Sequence, residues 1–289
     1  MTTYVRVVGF IRNIILLISI FTALLLISLI IPASAANITS SRSVTLSGSS
    51  TVMPLAEAAA EEFNLMQKDY VVTVSAGGTG AGILGIAERK YDLAMASRRI
   101  TEEERSRFDA SFQEYLVGLD GISIAVSDEI FQAGVRGLSR KQVRGIYSGN
   151  ISNWKDVGGP DRSIYVVARE EGSGTRENFD EMIMGRSDAE TPGVDTVAMG
   201  AAEVKTAISG SDKAIGYLGF NYLGGGVMGI AFNGIKPTYE NIKLGLYELH
   251  RQLYFYTYGD PSPGARAFID FVLGPEGERI AAEEGFVPV

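Results

Sequence analysis

The sequence predicts an α/β fold built on mostly parallel sheets, and two observations predict it. Short β-branched or apolar runs alternate with helix-length amphipathic stretches. One unit also recurs four times: a strand, a turn of Gly, Ser or Thr, then a helix or a further turn, at 47–51, 77–82, 97–99 and 172–175. In α/β sheets such turns lie at the carboxyl ends of strands, where ligands bind. Helix starts there offer free N–H groups and a partial positive charge, which suit an anion.

In chain order, 44–46 reads as a strand and 54–68 as a helix, with Pro54 in its first turn and apolar spacing near 3.6. A β-branched strand at 71–75 leads through a glycine turn to a helix at 81–89, then a strand at 93–96. Thr101 and Glu104 form a capping box. Two apolar strands, 112–119 and 122–126, flank Asp120-Gly121. Ser139 caps a short helix. A strand at 164–168 runs through Gly172-Ser173-Gly174 into a helix at 175–184. A helix at 201–209, strands at 214–218 and 253–257, and helices at 264–273 and 275–284 complete the pattern. With no long linker, two lobes would be joined by strands, at 118–126 and 216–226.

Residues 1–36 carry no acidic residue and only Arg6 and Arg12 as basic ones. An apolar run of 18 residues, Ile14 to Ile31, precedes Pro32 and Ala33-Ser34-Ala35. This is the pattern of a secretory signal peptide. It is also nearly long enough to span a bilayer. Cleaved signal or retained anchor, either places the remaining chain outside the cytoplasm.

Of 289 residues none is Cys and only His250 is His, and the net charge is −8. Disulfides, thiolate metal sites, cysteine nucleophiles and multi-histidine metal centres are excluded. The acidic balance argues against nucleic acid as a partner. A serine triad would need His250, which has no nucleophile elbow to serve. The expectation is therefore no catalytic residue, no metal and no cofactor. Gly80–Gly85 fits GxGxxG, but the acidic residue that a dinucleotide site wants further on is missing, and Arg98 stands near its place.

The segment richest in chemistry is Arg169-Glu170-Glu171-Gly172-Ser173-Gly174-Thr175-Arg176. Arginine binds tetrahedral oxyanions with a planar fork. A helix cap needs one hydroxyl; four small or hydroxyl residues between two arginines exceed that. Glu171, two residues from Arg169, could hold the guanidinium. Ser49-Ser50-Thr51 and Ser97-Arg98-Arg99 are further cradles at strand ends, although each alone could be a cap or strand-end solvation.

The stretches SGSSTVMPLAEAAAEEF, SAGGTGAGILGIAE, YDLAMASRRI, AREEGSGTRENF and KAIGYLGFNY, in that order within about residues 43–289, resemble the phosphate-binding proteins of bacterial and archaeal phosphate ABC transporters. The resemblance implies a two-lobe solute-binding fold of the periplasmic type II-like kind. Each lobe is a mostly parallel sheet flanked by helices. The expected division is 37–119 plus 226–289 for the first lobe and 120–225 for the second. The implied ligand contacts are Ser50, Thr51, Thr79, Gly80, Ser97 and Arg98 from the first lobe. The second lobe would give Arg169, Ser173, Gly174 and Thr175, with Glu171 buttressing Arg169. The implied partners are inorganic phosphate and a membrane permease, and the protein would act as a monomer. Some members place an Asp after the serine of the third motif, as acceptor for the phosphate proton; here Arg98 fills that place. The alternatives are another oxyanion (sulfate, molybdate or tungstate), an exported phosphatase, or an anchored adhesion protein on the same fold.

Overall fold

The computed structural model describes residues 42–108 and 111–289. The expected signal or anchor segment lies outside the described residues.

Strand β1 (Arg42–Gly48) opens the first lobe. Helix α1 (Met53–Met66) forms because Pro54 sits in its first turn and Leu55, Ala56, Ala59, Ala60 and Phe63 repeat on one face, which is buried. Strand β2 (Tyr70–Ala76), helix α2 (Thr79–Ala87) and strand β3 (Leu93–Ala96) follow, and both β2 and β3 pair parallel with β1. Thr101 and Glu104 close the expected capping box on α3 (Glu102–Arg107).

Strand β4 (Phe112–Ser127) is one strand of 16 residues where two were expected. Asp120 and Gly121 do not turn the chain. Asp120 faces Arg251 across the ladder, and Gly121 packs where a Cβ would lie 2.5 Å from Ile242 Cδ1. The pair fills a tight buried place that a polar-glycine dipeptide resembles only superficially.

The second lobe continues through α4 (Asp128–Gln132), β5 (Gly137–Leu138) and α5 (Arg140–Tyr147). Then come β6 (Tyr165–Arg169), α6 (Gly174–Met184), β7 (Thr196–Ala198), α7 (Ala201–Ser209) and β8 (Ala214–Gly219). Strands β9 (Val227–Gly229) and β10 (Ala231–Phe232) and helix α8 (Tyr239–Lys243) complete it. The chain returns to the first lobe by β11 (His250–Tyr258) and ends in α9 (Pro263–Val272) and α10 (Pro275–Glu283).

One curled sheet runs β2-β1-β3-β11-β4-β8-β6-β7, with β9 also paired to β4. Strand β4 serves both lobes: 112–121 pair with β11, and 122–126 pair with β8. Each lobe has its own core. Val44, Phe63, Phe255 and Phe268 belong to the first; Trp154, Phe179, Tyr217 and Phe232 belong to the second. The expected boundary at 225/226 and a return crossing at 216–226 need correction. Ile230, Ile242, Tyr247 and Leu249 pack in the second core with Ile122 and Trp154, and β9 pairs with β4. Residues 227–249 therefore side with the second lobe, and the return crossing is β11.

Gly48 shows what the turns demand. Its φ is +136°, and a Cβ would collide with the Met95 carbonyl oxygen of β3. Gly48→Ala should cost about 2 kcal/mol or more, from strain and collision together. Chemical denaturation checks this; an unchanged midpoint would show that β1 and β3 can separate there freely.

Candidate functional site

The four expected turns come together at the carboxyl ends of β1, β2, β3 and β6. Ser50 and Thr51 precede α1, Thr79 opens α2, Ser97 follows β3, and Arg169 ends β6 with Ser173 capping α6. All five of the hydroxyl side chains from this group, with Thr175, are buried, and Arg169 is only 2% exposed.

Arg169 is held flat by its neighbour. Nε and Nη2 donate to Glu170 at 2.7 and 2.8 Å. Its backbone N–H donates to the Tyr217 hydroxyl at 3.2 Å. The free edge of the fork reaches both lobes: Nη2 donates to Ser50 Oγ at 3.1 Å, and Nη1 to Thr175 Oγ1 at 3.4 Å. Thr175 Oγ1 lies 3.1 Å from Thr51 Oγ1. The expected buttress was Glu171, but it is exposed, and Glu170 does the holding. Spacing of two residues in an extended strand end sends side chains to one side, whereas the turn at Gly172 (φ +78°) ends that alternation.

The remaining contacts lie within each lobe and between them. Ser97 N–H donates to Thr79 Oγ1 at 3.2 Å, with the two hydroxyl oxygens 3.4 Å apart. Gly80 N–H donates to the Gly172 carbonyl at 3.1 Å. A Cβ on Gly174 would lie 2.7 Å from both Ser97 Oγ and Thr79 Oγ1, so only glycine lets α6 begin there. Ser173 Oγ accepts the Arg176 amide as the α6 cap. Tyr222 donates to the Ser50 carbonyl at 2.8 Å, and burial pushes its hydroxyl up to about 12, so it remains a donor at ordinary pH.

Arg98 does not join this cradle. Its fork donates to Glu104 at 2.8 and 2.9 Å, and Nε is ion-paired with Glu177 on α6. It latches one lobe to the other instead of facing a ligand, because two carboxylates outcompete a shared site. Asp92 is spent as well, accepting from the Thr45 amide and hydroxyl at 2.9 Å. The GxGxxG glycines serve packing: a Cβ on Gly82 would lie 2.7 Å from the Ser47 carbonyl oxygen.

Two residues were missed by sequence reasoning: Asp120 and Arg251, a buried pair on β4 and β11. Arg251 Nη2 also donates to Thr51 Oγ1 at 3.2 Å. No local motif marks either residue. The one signal was a lone Asp inside an apolar run.

Beneath the cradle, Asp180 on α6 is buried and receives only Arg176 Nε, at 3.4 Å. Burial pushes its carboxyl up to about 6. The folded value exceeds the unfolded one, so stability is fully present below about pH 4 and falls as pH rises through about 6. Asp180→Asn should raise the thermal midpoint by about 2–4 °C above that range and leave it unchanged below about pH 4. Melting curves across pH test this; a rise at low pH instead would reverse the sign.

Such a site can bind a tetrahedral anion by hydroxyls, amides and guanidinium without a reacting group. A family model described as a PBP superfamily domain matches residues 33–276. The chain is 32% identical over 252 residues to the phosphate-binding protein PstS of Bacillus subtilis, covering 86% of this chain and 81% of that one. A Clostridium perfringens crystal structure with bound phosphate superposes at a TM-score of 0.80 with 33% identity, covering 86% of this chain and all of that one. An ABC-type phosphate transport receptor from Vibrio cholerae superposes at 0.70 with 30% identity, covering 85% and 100%. The two-lobe fold, the order of its turns and these likenesses agree, and the chain belongs to the PBP superfamily and, within it, to the PstS phosphate-binding protein family.

Proposed function

We propose that the protein captures inorganic phosphate between its two lobes and delivers it to an ABC transporter permease. It acts outside the cytoplasm and by binding alone. The observation that carries this reading is Arg169. A buried guanidinium, pinned on one edge by Glu170, directs its other edge at hydroxyls from both lobes. Two of its hydrogen-bond directions are thus fixed before a ligand arrives, which lowers the ordering cost of binding.

The ligand contacts are Ser50, Thr51, Thr79, Gly80, Ser97, Arg169, Ser173, Gly174 and Thr175. Phosphate near neutral pH keeps a proton that sulfate lacks, so discrimination needs a carboxylate acceptor. With Arg98 turned to its own partners, Glu170 is the carboxylate that borders the cradle: its Oε1 lies 3.7 Å from where a Gly78 Cβ would stand. Each of its oxygens retains a lone pair beyond the Arg169 bond.

Calorimetric titration of the full chain with phosphate, sulfate and molybdate tests the reading. Phosphate should bind most tightly, and equal affinity for sulfate would refute a phosphate-selective site. Arg169→Ala should weaken phosphate binding at least about a hundredfold while the protein stays folded. Glu170→Gln should weaken binding and narrow the preference over sulfate, whereas Glu171→Gln should do neither. An effect of the second that exceeds the first would return the buttress to Glu171.

A further inference from the structure

Asp120 and Arg251 are paired in register on β4 and β11, where the chain crosses between lobes. Both are buried, Arg251 to 4% exposure. Asp120 Oδ2 accepts from Arg251 Nε at 3.1 Å and Nη2 at 2.7 Å, and Oδ1 accepts the Phe220 amide at 3.2 Å. Nη2 donates in addition to Thr51 Oγ1 at 3.2 Å. That oxygen stands 3.1 Å from Thr175 Oγ1, which Arg169 Nη1 reaches. Two threonine hydroxyls therefore stand between two buried guanidiniums.

The remaining nitrogen of Arg251, Nη1, is buried and has no hydrogen-bond partner among the described residues. A buried donor left unmet is destabilising. An ion pair that only braced the crossing strands would gain nothing from that cost. Burial pulls the Arg251 guanidinium below its ordinary range; Asp120 opposes the fall and the nearby Arg169 charge adds to it. An anion between the two guanidiniums would turn their repulsion into shared attraction. Arg251 also lines a cavity of about 590 Å³ between the lobes, together with Arg98, Arg99, Lys243 and His250. All are basic, in a chain of net charge −8.

Building on the phosphate reading, we propose that Arg251 is a second cationic arm of the oxyanion site. Nη1 meets the anion from the crossing strands, Arg169 meets it from β6, and Asp120 positions Arg251 by its Nε and Nη2. The ligand class is a tetrahedral oxyanion of high charge. A single guanidinium would leave one side of it to neutral hydroxyls.

The test pairs two measurements on the full chain: phosphate affinity by calorimetry and the thermal midpoint without ligand. The double variant Asp120→Asn with Arg251→Met removes both charges together and keeps an acceptor for the Phe220 amide. Its ligand-free midpoint should stay within about 5 °C of wild type, while phosphate affinity falls about ten- to a hundredfold. Arg251→Lys keeps the charge beside Asp120 but loses the fork, and its affinity should fall about tenfold. A bracing pair would lower the midpoint and spare the affinity. Wild-type affinity in either variant overturns the proposal. If the unmodified chain takes up no phosphate, the phosphate reading itself fails and this proposal with it; if it binds phosphate and both Arg251 variants bind it equally well, the second arm alone fails.

Discussion

The candidate site depends on a buried guanidinium that the protein can hold still. Arg169 is almost wholly out of water, where an unpaired charge would be prohibitively costly. Glu170 makes its burial tolerable by taking one edge of the fork at 2.7 and 2.8 Å. Adjacent residues seldom make such a pair in a regular strand, since their side chains alternate. Here the strand ends at Arg169, and the turn that follows lets Glu170 fold back. The free edge then has nowhere to go except toward the hydroxyls of both lobes.

Around that group, charge is neutralised locally. Arg169 has Glu170, Arg251 has Asp120, and Arg98 has Glu104 and Glu177. The surface charge of the chain is acidic, yet the cleft is built of donors. In a low-dielectric interior these short-range partners outweigh distant charges that salt screens beyond about 8–10 Å. Burial also raises the Glu177 carboxyl, Arg98 opposing that rise and Glu104 adding to it. The Arg98 latch between lobes thus rests on a carboxylate that ionises less readily than usual.

The convergence of the four turns was legible because its parts are local. A Ser-Thr turn before Pro54, a glycine turn before α2, and Arg169 followed by small residues before α6 each obey short-range rules of capping and strand ends. These put Ser50, Thr51, Thr79, Ser97, Arg169 and Thr175 in one place. What was not legible depends on three-dimensional partners. Arg98 reads as a ligand by position, but Glu104 and Glu177 claim it from two helices. Glu171 reads as the buttress by spacing, but a left-handed glycine decides which acid turns inward. Asp120-Gly121 reads as a break between two strands, but Arg251 and Ile242 make it a packed position within one. Arg251 lies 200 residues from Thr51 in sequence, and no pattern links them.

The strand order has a consequence for how the molecule comes into being. β3 and β4 follow each other along the chain, yet β11 lies between them in the sheet. As synthesis proceeds from the amino end, the second lobe can complete its pairing while the first still lacks its middle strand. Until His250–Tyr258 arrives, β3 and the first half of β4 are open edges, and exposed edges invite pairing with other chains. The last forty or so residues are therefore not an appendage. They close the gap between β3 and β4, and they also deliver Arg251 to Thr51.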